Sequence, residues 1–155
     1  DPDLSLRLHQ LGYKTTLIKD AFVYHKRRIS WSKFYKQVYK FGMVRPILNQ
    51  WHPKSKSLVY WFPTMFSFGF IVALVLLVLN LPQAIFIYLV YFTLAFVLAL
   101  ISNKNVVVAI QAILAIVIQF FGYGFGFIKS TISLVVLGKK PEEAFPHLFF
   151  KSYEF

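Results

Sequence analysis

The sequence predicts a mainly α-helical membrane protein, fronted by a short remnant of an α/β domain and an amphipathic interface helix. Three observations carry that fold class. Between Ser57 and Asn103 there is no charged residue at all, whereas a bilayer needs only roughly 20 apolar residues to be crossed by a helix. Just before that run, residues 30–45 alternate aromatics and lysines at helical spacing. At the start, a leucine-spaced stretch, a glycine and two β-branched runs follow one another, the order of a helix and strands in a domain with a sheet.

Residues 1–29 begin with "DPDLSLRLHQLG", which sets Leu4, Leu8 and Leu11 at helical spacing and supplies Gly12 as a C-terminal stop. "YKTTLIKD" and "AFVYH" are suited to strands. So short a piece cannot bury a core by itself, and we expect it to be the C-terminal remnant of a larger catalytic domain.

Residues 30–57 should hold a helix over "SWSKFYKQVYKFGMVR" and a polar, basic loop. Ser30 is suited to the N-cap. Trp31, Phe34, Tyr35, Val38, Phe41 and Gly42 fall on one face, and Lys33, Lys36 and Lys40 on the other. This pattern fits a helix lying in the membrane interface, or one packed on a protein core with a solvated basic face. Pro46 is expected to end it.

The transmembrane region, 58–128, divides into spans at about 58–79, 84–101 and 106–128, separated by "NLPQ" and "SNKN". Tyr60 and Trp61 suit the interface at the head of the first span. The third contains Gln111, Gln119 and "GYGFG" (Gly122 to Gly126), so one side of it should face protein, with the glycines serving close helix packing. Residues 129–155 form a C-terminal tail. The basic N-terminal segment should be cytoplasmic, as should Lys104 after two crossings. A complete third crossing would put Lys129, Lys139 and Lys140 on the wrong side, so that segment is re-entrant or a weak fourth span lies near 130–137. The multi-pass localisation follows from the spans; the side of the tail stays open.

Composition narrows the function classes. There is no cysteine, hence no disulfide or thiolate chemistry. The net charge is +11, but twelve of the seventeen Lys and Arg precede the first span. Membrane lipid headgroups fit that placement and nucleic acid does not. No phosphate-binding glycine loop, zinc-spaced histidine pair or nucleophile elbow is present. The three spans contain no acid, base or histidine, which favours an anchor over a transport path.

The combination "DPDLSLR", Gly12–Tyr13, "VYHKRR" and an aromatic-basic helix leading into membrane spans resembles the membrane-anchored family 2 glycosyltransferases, inverting enzymes with a GT-A nucleotide-sugar-binding domain. Their motif Glu-Asp-x-Asp-Leu-Ser-x-Arg is matched here from its second letter onward. Val23, His25, Lys26, Arg27 and Arg28 resemble the family's strand ending in Val-x-His and basic residues. Gln37 and Arg45 resemble, more loosely, the Gln-x-x-Arg-Trp region of the processive members; the spacing is longer and no Trp follows Arg45. The likeness covers residues 1–45, and beyond them only the general architecture.

The resemblance implies transfer of a sugar from a nucleotide-sugar donor to a lipid-linked or polysaccharide acceptor with inversion. Asp1 would be the general base that takes the acceptor hydroxyl's proton, and such a base must stay ionised within hydrogen-bond reach of it. Asp3 would cap or orient, and Arg7, four residues on, either pairs with Asp3 or contacts substrate. Arg27, Arg28, Gln37 and Arg45 are the substrate or diphosphate candidates, although Lys26, Arg27 and Arg28 suit lipid headgroups equally well. His25 is either an ordinary packed histidine or a ligand of the Mg²⁺ or Mn²⁺ expected in the whole enzyme. Residues 1–155 without the donor-binding half would be inactive. The alternative from another class is a non-catalytic membrane scaffold or transporter subunit with a basic cytoplasmic arm.

Overall fold

The computed structural model describes residues 2–24 and 30–150, and within them every regular element is helical. Helix α1 (Pro2–Gln10) ends as the leucine spacing requires. Gly12 adopts φ +84°, in the left-handed region. Tyr13 N then donates to Leu8 O and Gly12 N to His9 O, each at 3.0 Å, the paired bonds of a glycine-terminated helix. The two strands expected after it are not found among the described residues; residues 13–18 are irregular and 19–20 form a turn. A strand is held by its neighbours in a sheet, and among the described residues it has none.

Helix α2 (Trp31–Trp51) is capped by Ser30, whose Oγ accepts from Lys33 N at 3.3 Å. It does not stop at Pro46. An interior proline costs about 3 kcal/mol, but Pro46, Ile47 and Leu48 are all buried. Ile47 and Leu48 alone return about 1.5–3 kcal/mol each, so packing offsets the break and carries the helix through Asn49, Gln50 and Trp51, which had been expected in a loop. His52 N closes it on Leu48 O, and Pro53 follows.

Two 3₁₀ turns, Pro53–Ser55 and Leu58–Trp61, lead into α3 (Phe62–Val78); α4 (Gln83–Asn103) and α5 (Val106–Thr131) follow. Three helices are long and apolar enough to cross a membrane: 58–78, 83–103 and 106–136. The last runs past its expected end at 128 through a π-helical turn (Ile132–Val136), because Phe127, Ser130 and Leu134 continue its buried stripe at i, i+3, i+7 spacing.

The apolar side of α2 is spent largely on α5 rather than on lipid. Gly42 lies against the backbone of Tyr123 and Phe127, and Gly126 against that of Tyr39 and Met43. Gly122, one turn before Gly126, takes the ring of Tyr35, while Gly124 points the other way, to Pro63, Thr64 and Ser67 of α3. "GYGFG" therefore serves two neighbours, as small residues at helix contacts do. Trp31, Tyr35 and Phe41 remain partly exposed beside Lys33, Lys36 and Lys40.

Farther along, Met43 and Ile47 pack with Leu134 and Phe145. The short helices α6 (Pro141–Ala144) and α7 (Pro146–Phe149) thereby fold the tail back onto α2. Phe66 ties the three apolar helices together: it stacks on Phe120 (4.1 Å between centroids) and meets Tyr88 and Tyr91 of α4 at 5.0 and 5.3 Å. Trp61 meets Phe127, Thr64 donates to Gly124 O and Phe66 meets Phe120. The partner's number falls as that of α3 rises, so α5 runs against α3 there. It also follows α4 through a two-residue turn. A helix cannot oppose both members of an antiparallel pair, so α5 crosses them obliquely.

Candidate functional site

Two polar clusters lie where the N-terminal helix and α2 reach the first apolar helix. The first joins α1 to the end of α2. His52, 6% exposed, places Nε2 2.7 Å from Asp3 Oδ1 and Nδ1 3.1 Å from Gln10 Nε2. With the Gln10 amide donating to Nδ1, the ring proton sits on Nε2 and is donated to Asp3. Asp3 Oδ2 accepts from Arg7 Nη2 at 2.9 Å, the i, i+4 pair expected from the sequence. The His52 hydrogen bond holds the Asp3 carboxyl below the usual carboxylate range; partial burial opposes this and Arg7 reinforces it.

Both Asp3 oxygens are thus engaged by side chains that fix its position. Asp3 fastens α1 to the end of α2. His52 was not singled out by the sequence. It stands 49 residues from Asp3, and only the pairing "HP" at a helix end marks it.

The second cluster surrounds Arg45. Its Nη2 donates to Ser55 O (2.6 Å) and Ser55 Oγ (3.2 Å), and the guanidinium lies 3.5 Å from the centre of the Tyr60 ring. Arg45 Nε is buried and has no hydrogen-bond partner among the described residues. A cavity of about 440 Å³ opens beside it, walled by Phe41, Val44, Leu48 and Gln119 among others. Gln37, the residue coupled with Arg45 at the sequence level, lines a different groove with Lys33, Lys36, Lys40 and His147. Eight positions separate the two, about 12 Å along a helix, and the fold does not bring them to one site.

Asp1, His25, Lys26, Arg27 and Arg28 lie outside the described residues. Among the described residues no three metal-ligating side chains gather, and the sequence-level ligand candidate, His25, is not one of those residues. Compared with known proteins, the chain matches no family model, no curated protein and no solved structure.

Proposed function

We propose that the chain carries the acceptor-side motif and membrane anchor of an inverting glycosyltransferase that uses a nucleotide-sugar donor and a lipid-linked or polysaccharide acceptor. The observation that supports this reading best is the fastening of the helix that carries "DLSLR" to the end of α2, just before the first apolar helix, through Asp3 and His52. Such a fastening would hold a base at Asp1 beside the bilayer, where a lipid-linked hydroxyl is presented. Asp1 takes the acceptor proton, Asp3 and Arg7 hold the helix, and Arg27 and Arg28 offset charge on the diphosphate leaving group. The donor's diphosphate would call for a divalent Mg²⁺ or Mn²⁺, for which His25 is the candidate ligand.

The basic flanks face the cytoplasm in this reading. The Trp51 ring, before the first span, meets the Phe149 ring, after the third, at 6.0 Å. Three complete crossings would separate the flanks, so the oblique α5 is the helix proposed to cross incompletely.

The test is sugar transfer by the natural protein in membranes, comparing Asp1→Asn with the parent. Loss of a general base should reduce the rate by about 10²–10⁴-fold. Unchanged transfer, or none from the parent with any nucleotide sugar, would leave the scaffold reading in its place.

A further inference from the structure

The Arg45 groove carries a cation at one end. Arg45 lines it, with Nη2 held on Ser55 and Nε enclosed without a hydrogen-bond acceptor among the described residues, an unfavourable position for a charged donor. Arg45 makes no ion pair among the described residues, where both recorded pairs go to Asp3. The guanidinium is also fixed: the Tyr60 ring lies against one face and the Ser55 oxygens hold one nitrogen. A rigid, planar guanidinium matches a phosphate oxygen better than a flexible lysine does.

The rest of the groove is apolar. Phe41, Val44 and Leu48 line it along α2, and Gln119 adds one polar group from α5. It opens beside Val59, which is 72% exposed at the head of a helix able to cross a membrane. Tyr60 and Trp61 suit the interfacial level, and Lys54 and Lys56 lie on the turn just before it. A charge-binding end next to an apolar trough at that level fits one class of molecule.

We propose that this groove holds a resident anionic phospholipid, its phosphate on the Arg45 guanidinium and its upper chain along Phe41, Val44 and Leu48. The assignment stands apart from the glycosyltransferase reading, since it concerns lipid retention and not transfer. It uses the Arg45 side chain as a structural clamp: a bound phosphate would tie α2 to the first turns of α3.

Native mass spectrometry of the full chain released from detergent tests this, with phosphatidylglycerol and phosphatidylcholine as the probes. The parent should retain one phosphatidylglycerol in preference to phosphatidylcholine. Arg45→Gln should weaken that retention by at least about tenfold, the equivalent of 1.4 kcal/mol. Val44→Trp, which fills the trough and leaves Arg45 in place, should weaken it too, so the test survives if Arg45→Gln fails to fold. Neutralising Lys33, Lys36 and Lys40 together should leave the tight lipid bound. Equal retention of both lipids, or undiminished retention in Val44→Trp, would overturn the proposal. Displacement of the lipid by millimolar inorganic phosphate would also overturn it, by making the site one for a free anion.

Discussion

Gly126→Ala is the substitution that tests the α2–α5 contact most directly. A Cβ at this position would overlap the Tyr39 carbonyl oxygen and lie 3.1 Å from both Met43 N and Tyr39 carbonyl carbon. Carbon contacts are best at about 3.5–4.0 Å. The obstacles are backbone atoms inside a helix, so no rotamer change relieves them and α2 must move as a body. A gap of about 0.5–1 Å forfeits a quarter to a half of the attraction at each neighbouring contact, and Val38, Met43 and Phe127 sit on this seam. Overpacking of this kind costs about 1–3 kcal/mol, here toward the upper end, while alanine returns about 1 kcal/mol of helix propensity. The expected net loss is about 2 kcal/mol, or about thirtyfold in the folding equilibrium. Gly122→Ala is the control. The atoms nearest its Cβ are side-chain atoms of Tyr35 and Val38, at 3.3–3.4 Å, which can yield, so a change within about 0.5 kcal/mol is expected. Unfolding in mixed micelles, followed by helical circular dichroism against the mole fraction of SDS, reads both. Equal stability of the two variants would refute the reasoning, because it would mean that α2 and α5 are not in backbone contact.

The Asp3–His52 link should respond to pH with a defined sign. The folded carboxyl is held below its ordinary range, so its contribution is complete above the unfolded pKa and is lost as pH falls through the lowered folded value. Protection of the α1 amides against hydrogen exchange, taken relative to the intrinsic rates, should therefore fall on acidification through the carboxylate range. His52→Ala should lower it at neutral pH as well; protection that does not change in the variant would count against the link. Topology can be read separately. The chain has no cysteine, so Lys54→Cys and Lys139→Cys provide single labels, and both should react with a membrane-impermeant maleimide from the same side. Labelling from opposite sides would establish three complete crossings and overturn the oblique, incomplete α5.

What the sequence made legible was what short-range physics decides. Gly12 had to end α1 because only a left-handed residue there closes the helix, and Ser30 had to begin α2 because its oxygen reaches the third amide onward. The three apolar helices followed from length and the absence of charge alone, with ends correct to within a few residues except for the third. Pro46 was misread for a reason that can be weighed: the penalty is local and visible, whereas the burial that outweighs it includes that of Ile47, which packs with Leu134 and Phe145, about 90 positions away.

The same division runs through the candidate site. The Arg7–Asp3 pair was one of the two readings open for Arg7, because four residues on a helix make them neighbours. His52 could not be paired with Asp3 in advance, since no periodicity connects positions 49 apart. "GYGFG" lies between these cases. Its composition announces close packing, but which glycine faces which helix depends on register: Gly122 and Gly126 are one turn apart and share α2, while Gly124 is rotated about 200° from each and meets α3 instead. Gly42 completes the contact from the other side, and in the sequence it is only one small residue on an aromatic face. The seam that holds α2 to α5 thus fixes where Arg45 stands, and with it the groove. A change at Gly126 that displaces α2 should accordingly disturb the Arg45 cavity without touching any of its lining residues.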